Sequence, residues 1–294
     1  MHQLKCWANI GNYETSMSKS LKRLGLSLVQ NVVAVSSAKG GVGKSTTAVN
    51  IAIALATSLS LRVGLLDADI QGPSIGKMMN LKGKPELQSH GPHPLLRPLE
   101  NFRVKAMSMS FFMEDESKPA VLRGPMMSST FDKLMFGTDW GKLDVLIVDM
   151  PPGTGDAQIN LGQRVPLSGA IIVSTPQDIA LMDVRRGVEA YRLLKFPILG
   201  MVENMSYHVC KNCGHKEHTF GEGGVKRTAA QYGIDVLGEI PLDIAICSKS
   251  DAGSPVVASD AESSHTAAYI NIAKKLNQKL GLQILEKETK ITIE

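Results

Sequence analysis

The chain has 294 residues, of which 43% are hydrophobic and 20% charged, and its formal net charge at pH 7 is +4. This length and apolar content predict a globular protein with a large core, while only 5% aromatic residues argues against a stacking platform for nucleic acid. No apolar run approaches the ~18 residues of a membrane span, and four cysteines, two of them isolated, favour a reducing compartment over a disulfide framework.

The first 30 residues differ in composition from the rest. Their basic residues outnumber the single acidic residue, Glu14, and serine is frequent, a bias similar to that of an organelle transit peptide. We predict three parts: a basic N-terminal extension over 1–30, one large domain over 31–282 and a polar tail over 283–294.

The first strongly patterned segment joins a strand, a glycine-rich turn and a helix. The apolar run 32–35 precedes the turn 38–46, and a helical pattern covers 47–59. Because backbone N–H groups of such a turn can approach an anion closely, the pattern predicts a phosphate cradle at a helix N-terminus. Lys44 is expected to reach the β- and γ-phosphates, and Ser45 to bind Mg²⁺. The predicted phosphate-loop contacts are Gly40, Gly41, Val42, Gly43, Lys44, Ser45 and Thr46.

Two further apolar strands end in acidic residues. The segment 63–67 leads into Asp69, and the segment 143–148 leads into Asp149 and the loop 150–156. Ligands of open α/β sheets gather at the carboxyl ends of parallel strands, and Mg²⁺ prefers oxygen ligands, so both acids are expected near the phosphates. One such acid alone is equally consistent with a helix cap.

The rest of the chain alternates strands and helices, whereas residues 82–98, rich in Gly, Pro and His, are predicted to form a surface loop. This alternation predicts a doubly wound, mostly parallel α/β sheet flanked by helices. The further predicted strands are 102–107, 170–173, 198–202 and 236–240, and the further predicted helices are 179–194, 225–232 and 267–280.

Residues 207–218 concentrate metal-binding side chains, with two cysteines in a Cys-x-x-Cys turn and three histidines. The turn aims two sulfur atoms at one soft metal centre. A tetrahedral zinc site within one chain would use Cys210, Cys213, His215 and His218. Alternatively, the two thiolates are half of a four-cysteine cluster site that a twofold dimer completes.

Other thiols and imidazoles are expected to have minor roles. Cys6 and Cys247 are isolated in the sequence and are expected to be structural or incidental. Unless they bind zinc, the three histidines are expected to be solvated loop residues that can form hydrogen bonds to the metal ligands.

Several motifs together carry a family resemblance. The lysine-bearing loop resembles the deviant Walker A motif of the MinD/ParA class of P-loop ATPases, and three further segments are similar to the Mrp family of iron–sulphur carriers. Two more segments look most like the mitochondrial branch of that family, which serves respiratory complex I. The loop similar to Walker A is 39–45, and the three segments similar to the Mrp family are 67–74, 148–156 and 174–178. The two segments similar to the mitochondrial branch are 77–83 and 96–99.

The resemblance implies an ATPase that carries a cluster. It implies slow ATP hydrolysis coupled to cluster transfer, and a [4Fe–4S] cluster held between the subunits of a homodimer by Cys210 and Cys213. It further implies delivery to apo iron–sulphur proteins, complex I subunits among them, in the mitochondrial matrix, with a cytoplasmic location as the alternative. No nucleic acid partner and no membrane span are expected.

The resemblance also implies roles for single residues. Lys39 would reach across the dimer to the partner's phosphates, and Asp69 would orient the attacking water. Asn204 would read adenine, and because it lies shortly before Cys210, nucleotide binding is expected to shift the segment that leads to the cluster. The nucleotide contacts expected beyond the phosphate loop are Asp149, Gly153, Asn204 and Pro241.

Two other functions compete with this interpretation. A ParA- or MinD-like positioning ATPase shares the phosphate loop but has no need of paired cysteines, and it usually needs a basic surface or an amphipathic terminal helix. A metabolic P-loop ATPase with a structural zinc site is the second alternative.

Overall fold

A computed structural model of the chain describes residues 25–90, 93–113, 124–153, 165 and 167–282. The predicted C-terminal tail, most of the predicted N-terminal extension and Cys6 lie outside the described residues. Within them, no helix has the length and apolar character needed to cross a bilayer.

Within the described residues, an eight-stranded sheet lies at the centre of the molecule, in the order β12-β9-β8-β1-β7-β2-β6-β5. Its neighbouring strands are parallel except for β5, which runs antiparallel to β6 at one edge. The strands and two small hairpins, in chain order, are β1 Val29–Ser36, β2 Val63–Asp67, β3 Leu87–His90, β4 His93–Leu96, β5 Leu99–Asn101, β6 Val104–Met107, β7 Leu143–Asp149, β8 Gly169–Ser174, β9 Ile198–Glu203, β10 His208–Val209, β11 Lys216–Glu217 and β12 Val236–Glu239.

The inner strands are apolar throughout because helices cover both faces of the sheet. Every residue of β2, β7 and β8 is buried, as expected of a parallel sheet between two helical layers. The helices are α1 Lys44–Thr57, α2 Ile75–Met78, α3 Gly124–Phe136, α4 Asp178–Leu193, α5 Gly224–Tyr232, α6 Ile244–Asp251, α7 Val256–Ser259 and α8 Ser264–Leu280, with a 3₁₀ turn at Met109–Phe112.

Two helices form the interior layer on one side. Helix α1 is buried along nearly its whole length, which matches its lack of a polar face. Helix α8 packs beside it and contributes the fully buried side chains Tyr269, Ile272 and Leu276, spaced to share one face. The core therefore continues from the sheet through α1 to α8.

Strand register brings the predicted acids together. Strand β7 lies between β1 and β2, and Asp149 at its end pairs with Val35 on one side and with Asp67 on the other. Because the phosphate loop leaves β1 at this same edge, the sheet places the loop and both acid-bearing strands side by side.

The structure corrects three expectations. The strand predicted at 102–107 begins only at Val104, because Phe102 and Arg103 have φ of 50° and 63° and form the turn that joins β5 to β6. Residues 82–98 are not only loop, because they contain the β3–β4 hairpin, in which Leu95 is buried. The helix predicted over 47–59 begins earlier, at Lys44.

Candidate functional site

The phosphate loop opens onto a cavity of about 540 Å³ at the carboxyl edge of the sheet. The predicted site residues in its lining are Gly40, Gly41, Gly43, Lys44, Ser45, Thr46, Asp69, Asn204 and Pro241. Helices α2 and α6 contribute further lining residues, including Lys77, Met78, Ile246 and Cys247. The volume lies within the range of small-molecule sites.

Two glycines give the phosphate loop its shape. Gly41 and Gly43 have φ of 78° and 77°, in the left-handed region that disfavours residues with a Cβ. A Cβ on Gly41 would meet nothing within 4 Å, whereas a Cβ on Gly43 would lie 2.2 Å from Nδ2 of Asn204. Asn204 Nδ2 donates a hydrogen bond to the carbonyl of Val42 at 2.8 Å, so the expected adenine-reading residue contacts the phosphate loop directly.

Lys44 and Asp149 form a buried ion pair beneath the loop. The Lys44 ammonium lies 2.6 Å from Asp149 Oδ1 and donates to the hydroxyl of Ser45 at 3.1 Å. Burial raises the pKa of Asp149, and the charge of Lys44 offsets that effect only in part. Thus Lys44 has a counter-ion in the chain that a bound phosphate can replace.

The donor set next to Lys44 fits Mg²⁺. Asp149 Oδ2 is buried and has no hydrogen-bond partner within the described chain. The neighbouring Ser45 hydroxyl lines the cavity, and carboxylate and hydroxyl oxygens are the hard ligands that Mg²⁺ prefers.

Asp67 is a site residue that the sequence reasoning did not single out. Its carboxylate is buried and accepts backbone N–H groups from Ser74 at 3.0 Å and Ile75 at 3.2 Å, together with the Ser108 hydroxyl at 3.0 Å. Desolvation raises its pKa to about 7, and the negative charge of neighbouring Asp149 adds to that shift. The signal in the sequence was an acid closing an otherwise apolar strand.

Asp67 also fixes the loop that carries Asp69. The backbone N–H of Asp69 donates to Asp67 Oδ1 at 3.2 Å, and Asp69 Oδ1 accepts the N–H of Gly72 at 3.1 Å. The Asp69 carboxylate is therefore held at the wall of the cavity by a turn whose base is a buried acid.

Three other predicted residues lie beside the cavity and do not line it. Val42 is buried under the loop. Gly153 has φ of 102° and donates its N–H to the carbonyl of Ser37 at 3.0 Å, which places it next to the phosphate loop. The side chain of Lys39 is exposed and does not belong to the lining of the cavity in its own chain.

Cys210 and Cys213 lie at the tip of the β10–β11 hairpin, residues 208–217, which we call the thiol hairpin. The tip is closed by hydrogen bonds from Cys210 N to His215 O at 2.9 Å and from Gly214 N to Cys210 O at 2.8 Å. Cys213 is exposed and Cys210 half-buried. Backbone N–H groups of Cys213 and then Asn212 point at the Cys210 sulfur and lower its pKa, which favours the thiolate that binds metal.

The backbone at the base of the thiol hairpin pairs with the segment that borders the cavity. Ser206 N donates to Ile240 O at 2.9 Å, and Leu242 N donates to Tyr207 O at 2.7 Å. Leu242 lines the cavity together with Pro241, so the strand that leads to the thiols and the wall of the cavity share a hydrogen-bonded ladder.

Two of the three histidines are not solvated loop residues, and for them that expectation is wrong. His208 Nδ1 lies 3.0 Å from the carbonyl of Leu242, and His218 Nδ1 lies 3.0 Å from the carbonyl of Ser206. Both are half-buried, whereas His215 is exposed as expected. Sequence spacing gave no sign of these contacts, because the partner of His208 is 34 positions away.

The zinc arrangement is not formed in the described structure. Across the residues that the structure describes, no group of three or more His, Cys, Asp or Glu side chains is placed to hold a metal ion. The thiol hairpin thus presents two convergent thiols without further ligands from its own histidines.

Cys247 has a position that the sequence did not reveal. It lies on α6, in the wall of the cavity, with Sγ 3.8 Å from Asp251 Oδ2. Cys247 was expected to be structural or incidental, and its position in the cavity wall was not predicted.

Known proteins provide an independent comparison. A family model described as ParA: NUBPL iron-transfer P-loop NTPase matches residues 28–277. The iron-sulfur cluster transfer protein NUBPL of Mus musculus is 51% identical over 266 residues, covering 90% of this chain and 82% of the mouse protein. An Arabidopsis thaliana protein named as an iron-sulfur protein required for NADH dehydrogenase, mitochondrial, is 48% identical over 272 residues, covering 92% of this chain and 86% of its own.

A solved structure extends the similarity to the fold. The nucleotide-binding protein of Archaeoglobus fulgidus in complex with ADP superposes with a TM-score of 0.72 and 33% identity, covering 86% of this chain and 98% of the archaeal one. The predicted doubly wound α/β architecture is therefore confirmed by both the sheet order and this neighbour.

Proposed function

This chain belongs to the NUBPL family of iron-transfer P-loop NTPases, and on that premise we propose that it is an ATP-dependent carrier of iron–sulphur clusters. In this proposal ATP occupies the cavity at the phosphate loop, and a [4Fe–4S] cluster is the cargo bound by Cys210 and Cys213. The observation that carries the proposal is the hydrogen-bonded ladder that joins the wall of the cavity to the base of the thiol hairpin.

The nucleotide half of the site is argued from Lys44 and its neighbours. A triphosphate entering the loop competes with Asp149 for the Lys44 ammonium, which then neutralises phosphate charge. Asp149 is released to act with Ser45 as the pair of oxygen ligands for Mg²⁺. Mg²⁺ held by these two residues would neutralise part of the charge of the phosphates.

Hydrolysis requires a water in line with the γ-phosphate. Asp69 lies at the cavity wall on a turn anchored by Asp67, so its carboxylate is preorganised to orient that water. Gly153 adjoins the phosphate loop through Ser37, in a position to follow the γ-phosphate. We propose slow hydrolysis that serves as a switch for cluster transfer.

We assign the adenine-binding end of the cavity to Asn204 and the backbone around Pro241. Asn204 is buried against Gly43 and presents an amide with both a donor and an acceptor, which suits the edge of adenine. Its amide hydrogen bond to Val42 couples the position of the base to the shape of the phosphate loop.

The cargo half of the site needs a second subunit. Cubane clusters take four thiolates, and each thiol hairpin supplies only Cys210 and Cys213. A twofold homodimer with both hairpins at its axis provides the full set. The exposed side chain of Lys39, outside its own cavity, is then available to reach the partner's phosphates.

The names of the relatives support a proposed recipient and a proposed location. Because a relative 48% identical to this chain is named as required for mitochondrial NADH dehydrogenase, we propose subunits of that respiratory complex as recipients and the mitochondrial matrix as the location. The basic segment 1–30 would then be a transit sequence ahead of the carrier domain over 31–282.

Anaerobic reconstitution with iron and sulfide tests the cargo assignment. We expect a brown chromophore with about four iron atoms per dimer, lost in Cys210→Ala and in Cys213→Ala. Cys247→Ala, which removes an exposed thiol of the same domain outside the thiol hairpin, is the control and is expected to keep the chromophore. A colourless protein that retains one zinc ion per chain would refute the proposal.

A further inference from the structure

The turn after β9 fixes the nucleotide cavity to the start of the thiol hairpin. Asn204 contacts the phosphate loop, and Ser206, two positions later, is completely buried. Ser206 donates its N–H to Ile240 O at 2.9 Å and its hydroxyl to Glu203 Oε1 at 2.6 Å. Ser206 therefore links the turn that carries Asn204 to the end of β9 and to the residue after β12, at the start of the thiol hairpin.

Each strand of the thiol hairpin is anchored to this region by an imidazole. His208, on β10, bonds the carbonyl of Leu242, and His218, just after β11, bonds the carbonyl of Ser206, each through Nδ1 at 3.0 Å. A carbonyl oxygen only accepts hydrogen bonds, so each ring must carry a proton on Nδ1. We call this pair of side chains the imidazole clamp.

A second link between the hairpin and the cavity is much weaker. Lys211, between the two cysteines, lies 3.8 Å from Asp243 at the cavity wall, but its side chain is 70% exposed. Exposed ion pairs of this length contribute little and are screened by salt. The half-buried clamp is therefore the stronger of the two side-chain connections.

We propose that His208 and His218 are positioning residues that couple nucleotide occupancy of the cavity to the thiol pair. This role rests on the carrier function proposed above and specifies its regulation. A nucleotide that contacts Asn204 and Leu242 moves the two backbone carbonyls to which the clamp is bonded, and both strands of the hairpin follow. Coupling of this kind requires the nucleotide to bind the cluster-loaded and cluster-free forms with different affinities.

The coupling is measured as a ratio of affinities in the full-length dimer. Isothermal titration with Mg²⁺ and a non-hydrolysable ATP analogue gives a dissociation constant for the cluster-free and for the reconstituted protein. We expect the wild-type constants to differ by at least about fivefold. His208→Phe and His218→Phe should each reduce that ratio by up to about fivefold, the equivalent of one net hydrogen bond, while iron content is retained.

Matched variants separate positioning from general damage to the hairpin. His215→Phe makes the same substitution at an exposed histidine of the same hairpin and should leave the ratio unchanged. His208→Asn and His218→Asn place an amide N–H close to the position of Nδ1 and should restore most of the ratio.

The outcomes distinguish this inference from the carrier function. An unchanged ratio in both phenylalanine variants, or an equal fall in His215→Phe, overturns the inference. A wild-type ratio of one with full iron content also overturns it and leaves the carrier function standing. Failure of the wild-type protein to take up iron would refute the carrier function and the inference together.

Discussion

Replacing Gly43 by alanine should damage the protein in two separable ways. The new side chain must adopt φ of 77°, which costs an L-residue about 1–2 kcal/mol. Its Cβ would also lie 2.2 Å from Asn204 Nδ2, closer than any tolerated contact, so the buried amide must move and leave the carbonyl of Val42 without its donor. Loss of such a buried hydrogen bond adds about 1–3 kcal/mol.

Gly41 provides a matched control for the first of these costs. It has nearly the same φ, 78°, and a Cβ there would meet nothing within 4 Å. Gly41→Ala should therefore lower stability by the backbone cost alone, whereas Gly43→Ala should lower it by roughly 2–5 kcal/mol in total. At about 2–4 °C per kcal/mol for a chain somewhat smaller than this one, the melting temperatures of the two variants should be clearly resolved.

The assay is thermal unfolding of the two single variants, of Asn204→Ala and of the double variant Gly43→Ala/Asn204→Ala. Because Asn204→Ala removes the amide that clashes, the two changes should be less than additive, and the shortfall measures the contact. Equal melting temperatures for Gly41→Ala and Gly43→Ala, or strict additivity of the double variant, would refute the packing argument.

Three further predictions concern charged residues of the site. Lys44→Ala should abolish ATP hydrolysis and cluster transfer while reconstituted iron content stays at the wild-type level, because the lysine belongs to the proposed phosphate site and not to the thiol hairpin; transfer at the normal rate would contradict the coupling. Lys39→Ala should leave nucleotide affinity within about threefold, because the side chain lies outside the cavity of its own chain. Its rate of ATP hydrolysis should fall about 10³-fold or more, which is the contribution of a trans-acting cation. A large loss of nucleotide affinity by titration calorimetry would contradict this prediction. Asp67 holds a pKa raised to about 7, so the folded state binds its proton more tightly than the unfolded chain, and its contribution to stability, present below about pH 4, should be lost as pH rises towards 7. In Asp67→Asn, the free energy of unfolding measured in urea should fall less steeply as pH rises. Equal slopes of this free energy against pH in the wild type and the variant would contradict the raised pKa of Asp67.

Local features of the site were predictable, and features formed by distant contacts were not. The phosphate loop is one contiguous motif, and the conformation of its glycines and the position of Lys44 depend on neighbouring residues only. Its place between β1 and α1 was therefore predictable from the sequence. The turn at Phe102 and Arg103 gave no such signal, because neither residue favours the left-handed region that both occupy. The strand predicted across them was therefore too long.

The surroundings of the thiols show the same limit. Cys210 and Cys213 are recognisable by their spacing, but the anchoring of His208 on Leu242 depends on how β9 and β12 pair, which no short pattern encodes. Asp67 was overlooked for a related reason, since the Ser108 hydroxyl that donates to it is 41 positions away and its closeness to the charge of Asp149 depends on the pairing of β2 with β7.

Strands β10 and β11 contribute only two residues each to their ladder, and most of the hairpin is exposed to solvent. So small an appendage adds little to the cohesion of the molecule, whose apolar interior is formed by the central sheet with α1 and α8. Under the proposed function, cargo would therefore be loaded and released at the hairpin without loosening the body of the protein. The two residues between the cysteines lie outside the imidazole clamp, so they are open to redesign for a different recipient while the links to the nucleotide cavity are kept.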